Sequence, residues 1–245
     1  MFRFTLLTLC AGLPVLTGCL NFAHPTPVYR PEEWRPADEL PNESKSCVYV
    51  FLFNGPDPLG YCNVAGIRDH LNQIGFGKTY FGQALHLSYF AEKIRFIAAN
   101  CPEARFVIIG YDTGACEART LACKAKQAGI NLDLLLFLEP RGISSVAAEL
   151  ATHTITIRGT DCGWLGAGND YAGDVVRLEG VHKLCVPSHA DTLNILEREL
   201  TLIGMAVSFP PRNDPPKKPL IEPFPAPRET KPKPKCSRRS NFRLS

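Results

Sequence analysis

The chain has 245 residues, of which 45% are apolar and 21% are charged. This balance is typical of a globular protein with a buried core, and it excludes a chain that is disordered throughout. The formal net charge of +3 is unevenly distributed, because ten Lys and Arg residues oppose three Asp and Glu residues from Pro210 onward. That segment carries +7 and the preceding residues carry −4, so the basic charge belongs to the C-terminal segment and not to the domain.

The N-terminus has the pattern of an export signal. Arg3 precedes an apolar stretch, Phe4 to Leu16, which is shorter than the roughly 20 residues of a membrane span. The stretch ends in Leu16-Thr-Gly-Cys19, which resembles a bacterial lipobox. The resemblance implies a signal peptide over residues 1–18, a lipid on Cys19 and a bacterial envelope protein held at the membrane by that lipid. An ordinary signal peptide is the alternative. Prolines in residues 19–45 predict a tether.

Apolar and helical patterns alternate along the next 160 or so residues. Near-continuous or alternating apolar runs predict strands at 47–53, 78–81, 106–109, 132–138, 152–157 and 181–186. Helical spacing predicts helices at 64–74, 87–100, 115–128, 143–151 and 192–207. We therefore expect one α/β domain over residues 46–209, a three-layer sandwich with a mainly parallel sheet. Residues 210–245 are rich in proline and basic residues, which predicts a disordered tail.

The central stretch of the domain joins the strand at 106–109 to a helix through Gly110-Tyr-Asp112-Thr-Gly114. Strand, glycine-flanked turn and helix resemble a nucleophile elbow, in which a strained turn lifts one side chain above the sheet. With the loop Asn54-Gly55-Pro56 and a later His189, the chain resembles an α/β-hydrolase without a cap domain. On that resemblance Asp112 takes the position of the nucleophilic serine and His189 is the base. Backbone N–H groups of Thr113 and of the Asn54–Gly55 region form the oxyanion hole.

Four carboxylates are candidates for the acid that would complete this arrangement, and the sequence does not decide among them. The resemblance favours Asp161, in the loop after the penultimate predicted strand. Three further candidates are Asp170 and Asp174 in the same predicted loop, and Glu139 at the end of the strand after the elbow.

An aspartate at the elbow leaves two hypotheses. Haloalkane dehalogenases and epoxide hydrolases of this fold use such an aspartate as nucleophile, but they also carry a cap domain. Here only Arg141–His153 separates the strand after the elbow from the next strand, which is too short for a cap. The first hypothesis is a hydrolase of ester-like bonds that uses Asp112, His189 and Asp161. The second is a catalytically degenerate module that binds a small molecule or an envelope partner, with Asp112 kept as a helix N-cap.

The remaining motifs set few further limits. No phosphate-binding loop, dinucleotide fingerprint or metal-ligand spacing is present, so no cofactor and no metal are expected. Ten cysteines in an exported chain permit disulfides of open connectivity. The basic tail is either solvated or in contact with an anionic polymer or lipid, and the oligomeric state is open.

Overall fold

The structure is a computed structural model that describes residues 36–55, 62–142, 148–161 and 173–207. Within these residues six strands form one sheet: β1 Val48–Phe53, β2 Thr79–Gly82, β3 Arg105–Tyr111, β4 Leu134–Leu138, β5 His153–Gly159 and β6 Asp174–Leu178. The helices are α1 Asn42–Ser46, α2 Val64–Gln73, α3 Leu87–Asn100, α4 Gly114–Gln127 and α5 Ala190–Met205. All neighbouring strands pair in parallel.

Helices cover both faces of the sheet. Alternate residues of β1 point to opposite faces, so Val50 contributes to one half of the core and Phe51 to the other. Helices α2 and α5 pack on the first face, and α3 and α4 pack on the second. Every residue of β1 is buried, which explains its near-continuous apolar sequence. The predicted three-layer α/β sandwich is confirmed.

The strand order β2-β1-β3-β4-β5-β6 contains one reversal of direction. The chain passes from β1 outward to β2, and then crosses back to place β3 on the other side of β1. Ligands of open parallel sheets bind outside the carboxyl ends of the strands at such a reversal. Here the carboxyl ends of β1 and β3 continue into Asn54-Gly55 and Asp112-Thr113.

The prediction of a last strand at 181–186 is wrong. The last strand is β6, Asp174–Leu178, and residues 181–186 form a turn that leads into a 3-10 helix at Val186–Ser188. Val186 is fully buried, and Val181 and Leu184 pack partly against the core. The apolar character of this segment therefore comes from covering the edge of the core and not from pairing in the sheet.

Several predictions fall on residues that the structure does not describe. They concern the signal peptide, Cys19, most of the tether, Asp170, the C-terminal tail and residues 143–147 of the helix expected at 143–151. The end of that helix is a 3-10 turn, Ala148–Leu150. Within the predicted tether, Ala37 and Leu40 are buried in the core layer of α5. Among the described helices, none is long and apolar enough to cross a membrane.

Candidate functional site

The turn between β3 and α4 forces its central residue into a strained backbone conformation. Asp112 has a φ of +52°, a region that residues with a side chain adopt at a cost. A Cβ on Gly110 would lie 2.6 Å from the Ala115 Cα, and a Cβ on Gly114 would lie 2.7 Å from the Phe53 carbonyl oxygen. Both glycines are therefore required for the close approach of strand, turn and helix.

The surrounding loops hold this turn in place. The Asp112 N–H donates to the Leu138 carbonyl at 3.0 Å, and the Asp112 carbonyl accepts from the Arg141 N–H at 3.1 Å. The loop after β4 is thus fixed to the elbow by main-chain bonds. Such external bonds allow a strained residue to persist, and strained residues are concentrated at functional sites.

The side chain of Asp112 pairs with an arginine that the sequence analysis did not select. The Arg141 Nε lies 3.1 Å from the Asp112 Oδ1, and both side chains are partly exposed. Helix α4 begins with Thr113 as its N-cap residue and has no side-chain cap. The hypothesis that Asp112 serves as a helix cap is therefore not supported by this geometry, because its carboxylate contacts Arg141 instead. Arg141 lies two residues past Glu139, which places it at the carboxyl edge but does not distinguish it as the partner of Asp112.

The end of β1 lies directly against the elbow. A Cβ on Gly55 would lie 3.0 Å from the Thr113 Oγ1 and 3.3 Å from the Thr113 nitrogen. Asn54 is 9% exposed, and its main-chain N–H donates to the Gly82 carbonyl at 2.9 Å. Its side-chain Oδ1 is buried and has no hydrogen-bond partner among the described residues. The Thr113 N–H likewise has no acceptor within that part of the chain.

Glu139 is a predicted acid that lies at this edge of the sheet, directly after β4. It follows β4 with a φ of +46°, and its side chain accepts a short hydrogen bond from the Gly159 N–H and lies 3.9 Å from the Arg158 Nε. Burial raises the pKa of the Glu139 carboxyl, and the Gly159 N–H and Arg158 partly oppose that shift. The negative charge of Asp112 raises the same pKa further, which indicates that the two carboxylates lie near each other.

His189 is engaged elsewhere. It is the N-cap residue of α5, and its Nδ1 accepts a hydrogen bond from the Asp191 N–H at 3.2 Å. Because an N–H can only donate, a neutral His189 in this bond carries its proton on Nε2. A histidine that acts as a base has the opposite tautomer, with Nδ1–H held by an acid and Nε2 free to accept a proton. Among the described residues, His189 has no bond or ion pair with Asp112.

Of the other predicted acids, the structure describes Asp174 and Asp161. Asp174 is the first residue of β6, and in a parallel sheet it lies at the amino edge, where its Oδ2 contacts the His153 Nε2 at 3.0 Å. The expectation that Asp174 belongs to the loop at the carboxyl edge is therefore wrong. Asp161 is exposed, and its main-chain N–H donates to the Val181 carbonyl at 3.3 Å. Its side chain makes no hydrogen bond or ion pair within the described ranges.

Among the described residues, no disulfide bond involves Cys47, Cys101, Cys116 or Cys123. Cys116 lies in the first turn of α4, where its Sγ donates to the Arg141 carbonyl at 3.4 Å. Burial raises the pKa of this thiol, which disfavours the thiolate that a nucleophile needs. Within the residues that the structure describes, no group of His, Cys, Asp and Glu could hold a metal ion.

No protein-family model matches this chain, and no curated protein matches it. Among solved structures it is similar to a protein of Thermoplasma acidophilum described as a CIB-like hydrolase, with 16% identity, a TM-score of 0.42 and coverage of 64% of this chain and 87% of that one. It is also similar to a Xanthomonas campestris pv. campestris protein described as a hydrolase of the alpha/beta superfamily, with 11% identity, a TM-score of 0.37 and coverage of 63% and 96%.

A third similar structure is RedJ with a PEG molecule in its active site, with 10% identity, a TM-score of 0.40 and coverage of 73% of this chain and 95% of that one. Likenesses at these scores carry no argument about this chain. The fold of this chain is defined by its parallel sheet, the two helical layers and the strained turn at Asp112.

Proposed function

We propose that this chain is a lipid-anchored envelope protein whose hydrolase-like cleft binds a small, neutral, polar ligand without hydrolysing it. The cleft is the set of groups at the carboxyl ends of β1, β3 and β4: Asn54, Gly55, Asp112, Thr113, Glu139 and Arg141. The single observation that carries the proposal is the buried Oδ1 of Asn54, which has no partner among the described residues. An unpaired buried acceptor costs free energy, and a ligand that donates a hydrogen bond to it would remove that cost.

The groups beside Asn54 indicate the chemistry of the ligand. The Thr113 N–H lies beside Gly55, the residue after Asn54, and offers a donor, so a hydroxyl or a carboxamide, which both donates and accepts, matches the two groups. Asp112 is neutralised by Arg141 at 3.1 Å, and Glu139 lies beside Arg158 and within the field of Lys183. Since each carboxylate of the cleft has a cationic partner, the cleft favours a neutral ligand, and saccharides and amides are the classes that supply such groups.

Binding without hydrolysis follows from the positions of Asp112 and His189. A carboxylate provides no hydroxyl for a base to deprotonate, and the His189 Nδ1 is occupied by the Asp191 N–H. The alternative, a hydrolase with an aspartate nucleophile, is favoured by one observation, the φ of +52° at Asp112. A turn of the same fold that only binds a ligand would keep the same backbone conformation. The conformation therefore does not by itself require catalysis.

Ligand-observed NMR on the full chain tests the binding proposal. The probes are neutral disaccharides, N-acetylated amino sugars and short blocked peptides. We expect saturation transfer to at least one class, and we expect Asn54→Leu to weaken that binding about tenfold or more because the acceptor is lost. The matched control is Asn100→Leu, an exposed position at the end of α3. Binding that survives Asn54→Leu, or no binding of any probe, would contradict the proposal.

The lipid anchor is tested separately. Cells that produce the chain in the presence of radiolabelled palmitate should yield a labelled protein. The Cys19→Ala variant should lose the label and leave the membrane fraction, because a chain without the lipid has no described helix that could span the bilayer. A Cys10→Ala variant, whose cysteine lies within the predicted signal peptide, should behave as the wild type. Equal labelling of all three would contradict the anchor.

A further inference from the structure

Strand β6 forms one edge of the sheet, and no strand lies beyond it among the described residues. The Thr160 N–H donates to the Leu178 carbonyl at 3.1 Å, so the main-chain groups of Leu178 point toward β5. The direction alternates along a strand, so Val175 and Arg177 direct their N–H and C=O groups away from the sheet. The Val175 side chain is 43% exposed. Such an edge is a template for pairing with another strand.

A groove runs between this edge and α5, and we call it the β6–α5 groove. It encloses a cavity of about 430 Å³. Its lining residues include Val176, Leu178, Asp191, Asn194, Ile195 and Arg198. The members from α5 follow one another at helical spacing, so they share one face of the helix. That face carries an acidic residue at one end and a basic residue at the other.

Strand and helix run in opposite directions along the groove. His153 contacts both Glu199 and Asp174 at 3.0 Å, which places Glu199 of α5 level with the start of β6. From Asp191 to Glu199 the helix rises about 12 Å, and β6 spans about 13 Å. Asp191 therefore lies level with the end of β6, and the midpoint of the helix face, near Ile195, lies level with Val176.

We propose that the β6–α5 groove binds a second copy of this chain through a twofold axis at Val176. The two β6 strands then pair antiparallel, with Val175 of each copy opposite Arg177 of the other. These are the residues whose main-chain groups point outward, so the two pairs exchange four hydrogen bonds. Val176 lies opposite itself, and Asp174 lies opposite Leu178, so no like charges are placed directly across the ladder.

The same axis matches the charges of the two helices. The two α5 faces run antiparallel when the axis passes level with the midpoint between Asn194 and Ile195. Asp191 of each copy then lies opposite Arg198 of the other. That midpoint is the point of the helix that lies level with Val176. A single twofold axis thus pairs the two open strand edges and also brings opposite charges of the two helices together. A twofold interface requires such self-complementarity. The result is a continuous sheet across the two copies.

Cysteine cross-linking in cells that produce the full chain tests this arrangement. In the proposed pairing the two Val176 Cα atoms lie about 4.5 Å apart, within the range that a disulfide bridges. The two Val175 Cα atoms lie about 8 Å apart, by the strand spacing and rise, which is beyond that range. After mild oxidation we expect at least about fivefold more disulfide-linked dimer from Val176→Cys than from Val175→Cys, with the native cysteines common to both variants.

Two further changes, each made in the Val176→Cys background, separate pairing from folding. Val175→Pro removes an N–H that points outward and is not used by β5, so the monomer should fold and cross-linking should fall to the level of Val175→Cys. Asp191→Arg and Arg198→Asp should each reduce cross-linking, and the double variant should restore most of it. The proposal is overturned if Val176→Cys cross-links no better than Val175→Cys, or if Val175→Pro leaves the yield unchanged.

Discussion

The amino and carboxyl edges of the sheet, where the strands begin and end, contain similar residue types. They differ in how many of their polar groups have hydrogen-bond partners. At the amino edge, His153 is bonded to Asp174 and Glu199 at 3.0 Å each, and Arg198 contacts Glu199 at 2.8 Å. At the carboxyl edge, Asp112 pairs with the exposed Arg141 in a strained turn. There the buried Oδ1 of a neighbouring asparagine has no partner among the described residues.

The difference shows that carboxylates and cations do not by themselves mark a functional site. At the amino edge, His153, Asp174 and Glu199 bond to one another and tie β5, β6 and α5 together. The carboxyl edge keeps polar capacity open at the point where the strand order reverses, which is where a ligand is expected in such a sheet. The first cluster therefore contributes stability, and we propose that the second contributes a binding site.

The largest expected effect comes from filling the space at the elbow. In Gly114→Ala the new Cβ would lie 2.7 Å from the Phe53 carbonyl oxygen and 3.0 Å from the Gly55 nitrogen. Both neighbours are main-chain atoms, so we expect a loss of about 3 kcal/mol in the free energy of unfolding. Gly77→Ala is the matched control, because nothing lies within 4 Å of the added Cβ. Urea denaturation that finds equal stability for the two variants would contradict the tight packing of the turn.

The amino edge should respond to pH. The hydrogen bond to Asp174 is the main cause that raises the pKa of His153, with a further contribution from Glu199, while burial opposes the shift. The stability that charged His153 supplies is therefore complete below its unfolded pKa of about 6.5 and is lost as the pH rises through the folded pKa.

His153→Gln should then cost about 1.5 kcal/mol at pH 5.5, a figure that allows for solvent screening of this partly exposed group, and less at pH 9. His182→Gln, at an exposed turn, is the control. Thermal melts across this pH range measure the difference. A cost that is constant with pH, or that grows as the pH rises, would be inconsistent with a charged His153.

The strain at the elbow predicts that glycine is tolerated better than alanine at position 112. Asp112→Gly and Asp112→Ala both remove the ion pair, but only glycine adopts a φ of +52° at little cost. We expect Asp112→Gly to be more stable than Asp112→Ala by about 1 kcal/mol. Denaturant unfolding of both variants gives the comparison, and an alanine variant that equals the glycine variant would mean that the turn relaxes.

The smallest effect is expected for the exposed partner of Asp112. The Arg141 side chain is 59% exposed, so Arg141→Gln should change the free energy of unfolding by about 0.5 kcal/mol or less. The difference should diminish further at 1 M salt, because screening weakens the pair. A large, salt-independent loss would show instead that Arg141 has a packing role.

The fold could be predicted from periodicity to a large extent. Buried parallel strands such as β1 and β4 are nearly all apolar, and the alternation of strands with helices implies the layers. The last strand could not be predicted reliably, because β6 is an exposed edge strand with only Val175, Val176 and Leu178 as apolar residues. The following turn, 181–186, has the more strand-like sequence because it covers the core.

Less of the site could be predicted. The glycine-flanked turn identified Asp112, and the loop after β1 identified Asn54 and Gly55. The partner of Asp112 could not be selected, because an arginine in a surface loop has no distinguishing local pattern. The engagement of His189 with the Asp191 N–H depends on how α5 begins, which is a matter of backbone geometry that residue spacing does not reveal.

The most direct test of the central claim, that the cleft is not assembled for hydrolysis, is labelling with a fluorophosphonate probe. The full chain is compared with Asp112→Ser and with Asp112→Ser combined with His189→Ala. We predict that a serine at the elbow stays unlabelled in both folded variants, because the His189 Nδ1 is occupied and its Nε2 carries the proton. Labelling of Asp112→Ser that disappears in the double variant would contradict this account and would show that His189 can act as a base toward position 112.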